Sequence, residues 1–276
     1  MHIRLAHSPD PDDAFMFYGL ACGAVDAGPY VFEHVLADIQ TLNDRAMHGE
    51  YEITAISIHA YPFVCDKYVL TACGSSMGDN YGPILVTREP CGPEELRGRC
   101  IAVPGLMTTA YLALQLALGK DSFETRVVMF DEIPAEVAEG RVDAGLLIHE
   151  GQLTYEQEGL HAALDLGVWW QQRTGLPLPL GGNAVRRDLG EETSRDLARI
   201  VRASIQYGLE HREEAVRHAL QYGRGLDTAM ADRFVGMYVN EWTLDYGERG
   251  RQAVRQLLRE GAEMGLLPDP GPIDFI

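Results

Sequence analysis

His149 is the side chain best placed to do chemistry. It follows residues 142–148, a short, mostly apolar run whose single acid is Asp143, and it precedes Glu150 and Gly151. Such a run suits a strand buried on both faces of a parallel sheet. An imidazole at its carboxyl end can take a proton from a bound molecule. The competing role is to cap the strand, because histidine is of intermediate burial and often structural.

Thr108 and Thr109 form a second constellation. They follow Pro104-Gly-Leu-Met107 and open an apolar helix expected over 110–118. Two hydroxyls and the free N–H groups of a helix start make an anion seat, and the same geometry also serves simple capping. Gly105 is expected to let the backbone approach a ligand. Ser57 lies at a strand exit and could donate to a ligand oxygen, though serine is common in loops. The loop 73–82, which contains Ser75, offers backbone donors, but no Gly-Lys-[Ser/Thr] follows as in a phosphate loop. Asp10, Asp12 and Asp13 stand among prolines rather than among spaced metal ligands, so capping and turn roles are expected. No Ser-His-Asp order or G-x-S-x-G elbow is present. Trp169 and Trp170 are expected in the core rather than against an aromatic ligand.

The elements that must carry these residues alternate. Strands are expected at 3–7, 30–37, 51–58, 68–72, 84–87, 99–103, 126–130 and 142–148. Helices are expected from 14, over 38–47, from 60 to 65, over 110–118 and over 134–140. Pro134 fits a first helical position and Gly140 a C-cap. Turn residues at 88–93 suggest a domain crossing, and the Pro- and Gly-rich stretch 166–183 suggests the return. From 191 the chain reads as helices at 194–211, 213–222, 227–239 and 247–264. The fold class is therefore α/β, two lobes with the second inserted in the first and C-terminal helices. The larger lobe is expected to comprise 1–87 and 183–276, and the smaller 88–182. The strand exits at Ser8–Asp13, Ser57–His59, 73–82, Thr108–Thr109 and His149 would then converge on a cleft between lobes.

Composition bounds the partners. The chain has 276 residues, 46% hydrophobic and 23% charged, with a net charge of -18. That balance argues against a phosphate-backbone binder and leaves a small carboxylate possible as ligand, held by local donors. No run approaches the roughly 20 apolar residues of a membrane span. The first residues carry acids and prolines where an export signal needs an apolar stretch, so a cytoplasmic protein is expected. Five cysteines, with no C-x-x-C pair, read as reduced thiols. Cys73 is expected to be a buried filler.

Three segments together carry a resemblance: His7-Ser-Pro-Asp-Pro-Asp-Asp-Ala-Phe-Met-Phe-Tyr18, Pro104-Gly-Leu-Met-Thr-Thr-Ala110 and Gly145-Leu-Leu-Ile-His-Glu-Gly-Gln152. They resemble the 1,4-dihydroxy-6-naphthoate synthase family of the futalosine route to menaquinone. Leu178-Pro-Leu-Gly-Gly-Asn183 extends the likeness. The resemblance implies a fold like type II periplasmic binding proteins and a lyase needing no cofactor. It implies cyclic dehypoxanthinylfutalosine as substrate, with 1,4-dihydroxy-6-naphthoate and a dihydroxyfuranone as products. His149 matches the family's proton acceptor. Ala55, Ile56 and Ser57, with Thr108 and Thr109, match its substrate-binding segments, and Asp10, Ser75 and Asn183 are expected to join them. The expected partner is a small-molecule carboxylate, not nucleic acid or membrane, with a homodimer left open. Two rivals stand beside this reading: a chorismate dehydratase of the same pathway, and a non-catalytic cytoplasmic solute-binding protein.

Overall fold

The computed structural model describes residues 1–223 and 225–276. Two sheets form its frame. The first contains β1 (His2–His7), β2 (Val31–Leu36), β3 (Ile53–Ser57), β4 (Tyr68–Leu70) and β5 (Ser76–Gly78). The second contains β6 (Ile84–Thr87), β7 (Cys100–Val103), β8 (Glu124–Val127), β9 (Ala144–Leu147) and β10 (His161–Asp165). The chain then returns to the first sheet through β11 (Leu178–Arg186).

Strand order in the first sheet is β2-β1-β3-β11-β4, with β5 also on β11. In the second it is β10-β6-β9-β7-β8. β1 is parallel to both β2 and β3, and β7 is parallel to both β8 and β9. Each sheet therefore contains a first strand flanked by the next two parallel ones. That arrangement creates a switch point beyond the carboxyl ends of β1 and β3 in one sheet, and of β7 and β9 in the other.

Residue type follows position. β3 and β9, interior strands, are buried throughout, whereas β8 at a sheet edge is Glu-Thr-Arg-Val and wholly exposed. β9 is shorter than the apolar run suggests. Asp143 precedes it and accepts the Cys100 N–H at 2.9 Å, which accounts for an acid at the foot of a buried strand. Its surroundings also differ from a purely parallel sheet, because β6 runs antiparallel to it.

Two boundaries move. β6 pairs with β9 and β10, so the chain crosses before Ile84 and not at 88–93. A four-residue apolar strand looks the same in either sheet, and the turn at 88–93 merely follows it. The return likewise precedes Leu178, since β11 pairs with β3 and β4 and already belongs to the first sheet. Within 166–183 the chain forms a helix, Leu166–Thr174, capped by Asp165, whose carboxylate accepts the N–H groups of Gly167 and Val168. Gly167 sits where a Cβ would run into the carbonyl of Tyr81. It marks close packing, not a loop.

The helices Glu191–Glu210, Arg212–Ala219, Thr228–Tyr238 and Gly247–Glu263 complete the chain. One apolar core includes Ile56 and Leu70 of the first sheet, Leu85, Ile101 and Leu146 of the second, and Leu257 of the last helix. The two sheets thus share a core. Among the described residues, no helix is long and apolar enough to cross a membrane.

Candidate active site

The carboxyl ends of β1, β3, β7 and β9 face one cavity of about 120 Å³. From the first lobe come Ser8, Asp10, Asp12 and Asp13 beyond β1, Ala55–Ser57 of β3, Gly74, Ser76, and Leu180–Asn183 of β11. From the second come Thr108, Thr109 and Ala110 beyond β7, and Ile148, His149 and Gln152 beyond β9. Phe234 and Tyr238, from the helix Thr228–Tyr238, complete the wall.

His149 has φ +58°, in the left-handed region that side chains other than glycine rarely adopt. Holding it there costs on the order of 1–3 kcal/mol, a type of strain that clusters at functional sites. Its ring packs edge-on against Phe130, with centroids 4.6 Å apart. Its Nδ1 lies 3.1 Å from Asp10 Oδ2, with side chains 14% and 2% exposed respectively. Its Nε2 is buried and has no hydrogen-bond partner among the described residues. A buried ring nitrogen left unmatched at a cavity wall is available to a bound molecule.

The loop after β1 is tightly organised. Ser8 Oγ donates to Asp10 Oδ2, and Ser8 N–H donates to Asp13 Oδ2 at 2.6 Å. Ser76 Oγ donates to Asp12 Oδ2 at 3.4 Å. The three carboxylates therefore serve two hydroxyls, a backbone amide and an imidazole. Asp10 occupies the N-cap position of the helix Pro11–Met16, but its side chain makes no cap bond, so the expected capping role does not hold for it. Burial, reinforced by the neighbouring Asp10 charge, pushes Asp12 up to about 6, with His149 opposing the shift. Burial and then Asp12 push Asp13 well above the usual carboxylate range.

Raised Asp12 has a stability consequence. Below its unfolded value near 3.8 both states are protonated and the group contributes nothing. As pH rises from there through about 6, the folded state must surrender a proton it holds more tightly, and stability falls. Asp12→Asn is therefore expected to raise the melting temperature at pH 8 and not at pH 3.5. An equal change at both would contradict the burial account.

Ser57 lines the cavity and is held by a residue that sequence reasoning passed over. Asn43 donates from Nδ2 to Ser57 Oγ at 2.9 Å, and its Oδ1 accepts Ser57 N–H at 2.9 Å. A signal existed: Ile39, Leu42, Asn43 and Ala46 recur at helical spacing on the inner face of the helix Ile39–Ala46, with Leu42, Asn43 and Ala46 buried. An asparagine in such a stripe must find partners.

Thr108 and Thr109 reach the cavity, but their hydroxyls are spent on the fold. Thr108 Oγ1 donates to Gly105 O at 2.8 Å and accepts Tyr111 N–H at 3.3 Å, capping the helix Thr109–Leu118. Thr109 Oγ1 donates to Leu180 O and accepts His59 N–H at 3.1 Å. What remains for a ligand is the backbone: N–H groups at the first positions of a helix have no partner in that helix. His59, expected in the cleft, instead clips β3 to this helix start, its Nδ1 3.1 Å from Thr108 O.

Other expectations separate. Asn183 lines the cavity; its Nδ2 donates to Gly74 O at 3.0 Å, while its Oδ1 is buried without a partner among the described residues. Ser75 is fully buried and does not line the cavity; Gly74 and Ser76 on either side do. Gly105 does not border the cavity either. Gln40 fills the space beside it and accepts Met107 N–H at 3.0 Å. Cys73 is buried, and burial pushes its thiol up to about 12, which makes it an inert filler. Gln152 and Tyr238 were not anticipated. Tyr238 donates to Gln152 Oε1 at 2.7 Å, and burial raises its hydroxyl far above the usual phenol range.

Two α/β lobes with a shared core, and a cleft lined by both an imidazole and a helix start, define a binding-protein-like fold with polar groups facing its cavity. The chain belongs to the menaquinone biosynthesis family, whose model matches residues 3–263. It is 43% identical over 272 residues to the 1,4-dihydroxy-6-naphthoate synthase of Thermus thermophilus, covering 98% of each chain. A crystal structure of an Archaeoglobus fulgidus protein superposes with a TM-score of 0.92 at 47% identity, over 96% of this chain and 98% of that one. The alkanesulfonate-binding protein of Xanthomonas axonopodis pv. citri, bound to MOPS, shares the fold at 10% identity, with a TM-score of 0.73 over 98% and 95% of the chains. The fold is thus periplasmic-binding-protein-like, as the three segments implied.

Proposed function

We infer that this protein is a 1,4-dihydroxy-6-naphthoate synthase, a lyase of menaquinone biosynthesis. It converts cyclic dehypoxanthinylfutalosine to 1,4-dihydroxy-6-naphthoate and releases a dihydroxyfuranone. The single observation that carries the reading is the free Nε2 of His149 in a cavity it shares with the start of the helix Thr109–Leu118.

Separating the sugar-derived fragment while the second ring becomes aromatic requires removal of a proton. A neutral imidazole suits that task, and aromatisation supplies the driving force. The substrate's carboxylate is seated by the backbone N–H groups at the helix start, where the helix dipole favours negative charge. A cytoplasmic location is part of this proposal, and five cysteines held as thiols agree with it.

Thr108→Val removes the cap that orders the helix start. It is expected to raise the substrate Kd by about 2- to 10-fold, in line with the loss of a cap, while kcat changes less. An unchanged Kd in a calorimetric titration would count against the anion seat. Incubation with an equimolar mixture of chorismate and cyclic dehypoxanthinylfutalosine separates the rivals. Consumption of the second alone is expected; dehydration of chorismate would transfer the protein to the other reaction, and recovery of both intact would make it a binder.

A further inference from the structure

We propose that Asp10 is the positioning residue of His149, holding the imidazole from the facing lobe so that Nε2 is the atom that takes the proton. The inference rests on the reading of His149 as the base and adds the group that makes it one.

Asp10 follows β1 of the first sheet and His149 follows β9 of the second, so their 3.1 Å contact spans the cleft. A carboxylate only accepts, so the proton of the neutral ring is drawn to Nδ1 and the lone pair is left on Nε2. Nε2 is the nitrogen without a partner among the described residues. Three further contacts fix the pair. Ser8 Oγ donates to the same Asp10 oxygen, Phe130 packs edge-on against the ring, and the backbone of His149 is held at φ +58°. The carboxylate is thereby aimed rather than free to turn toward a ligand. Asp12 lines the same cavity, but its Oδ2 is engaged by Ser76.

The lobes are bridged elsewhere too, by Thr109 with Leu180 and His59, and by Tyr238 with Gln152, the tyrosine on a helix packed against β5 and the glutamine just beyond His149. Those bridges join the lobes without touching the imidazole. A role for Asp10 confined to fastening the lobes would therefore be shared, and its loss would leave the tautomer of His149 unchanged.

The test compares Asp10→Asn, His149→Ala and the double variant, with Ser8→Ala as a milder perturbation that keeps the carboxylate. Asp10→Asn is expected to lower kcat by at least about 100-fold with KM changed less than about 3-fold, because the amide favours the wrong tautomer. The double variant is expected to be no slower than His149→Ala, since the two residues act as a unit. Nitrogen NMR of the imidazole reads the tautomer directly: Nδ1 protonated in the unsubstituted protein, and the proton redistributed to Nε2 in Asp10→Asn. Ser8→Ala should slow kcat by a few-fold with the tautomer retained. An inactive His149→Ala beside an Asp10→Asn variant of normal kcat and tautomer would overturn the role of Asp10 alone. A His149→Ala variant of normal kcat would overturn the base itself. Should Asp10→Asn fail to fold, a ring protonated on Nε2 in the unsubstituted protein would overturn the proposal without it.

Discussion

His149→Ala is expected to lower kcat by about 10²- to 10⁴-fold, the usual contribution of a positioned general base, with a much smaller change in KM. The size of the effect follows from geometry. The imidazole is anchored on one side by Asp10 and on another by Phe130, and it leaves Nε2 unmatched at the cavity wall. Truncation removes the proton acceptor and leaves the helix start and the walls in place, so binding survives. It also removes a side chain from a position with φ +58°, where alanine gains no conformational relief, so the fold should change little. Steady-state assay of naphthoate formation, with thermal melting as a control for folding, measures this. Turnover close to that of the unsubstituted protein would refute the assignment.

Trp170→Ala is expected to destabilise the fold by about 3–5 kcal/mol, the range for truncating a large buried aromatic. Trp170 is fully buried within the core shared by both lobes, and its Nε1 donates to Pro177 O at 3.1 Å. That bond ties the helix Leu166–Thr174 to the segment entering β11, where Leu180–Asn183 border the cavity. Its loss leaves both a void and an unmatched carbonyl. Urea denaturation should show the shift; a change below about 1 kcal/mol would mean that the return crossing is held by something else.

The site was legible where one strand exit carries one distinctive residue. His149 after an apolar run, Thr108 before an apolar helix and Ser57 at the end of a buried strand are local patterns, and each falls on the cavity wall. What was hidden depends on contacts between segments far apart in the chain. Asp10 reads locally as a cap, and only the facing of two sheets reveals its imidazole partner. Asn43 left a trace as a polar residue in a buried stripe. Tyr238 left none, because an aromatic on the apolar face of a helix gives no hint that its hydroxyl meets the opposite lobe. Lobe membership of β6 was equally silent, since pairing is a property of two strands. Gly167 misled because glycine serves close approach as readily as a turn.

The most direct measurement follows the conversion itself. Purified, chelator-treated and dialysed protein is mixed with cyclic dehypoxanthinylfutalosine, and both products are quantified against time. The proposed chemistry predicts 1,4-dihydroxy-6-naphthoate and the dihydroxyfuranone in equal amounts over many turnovers. Recovery of the substrate unchanged, bound or free, would contradict it.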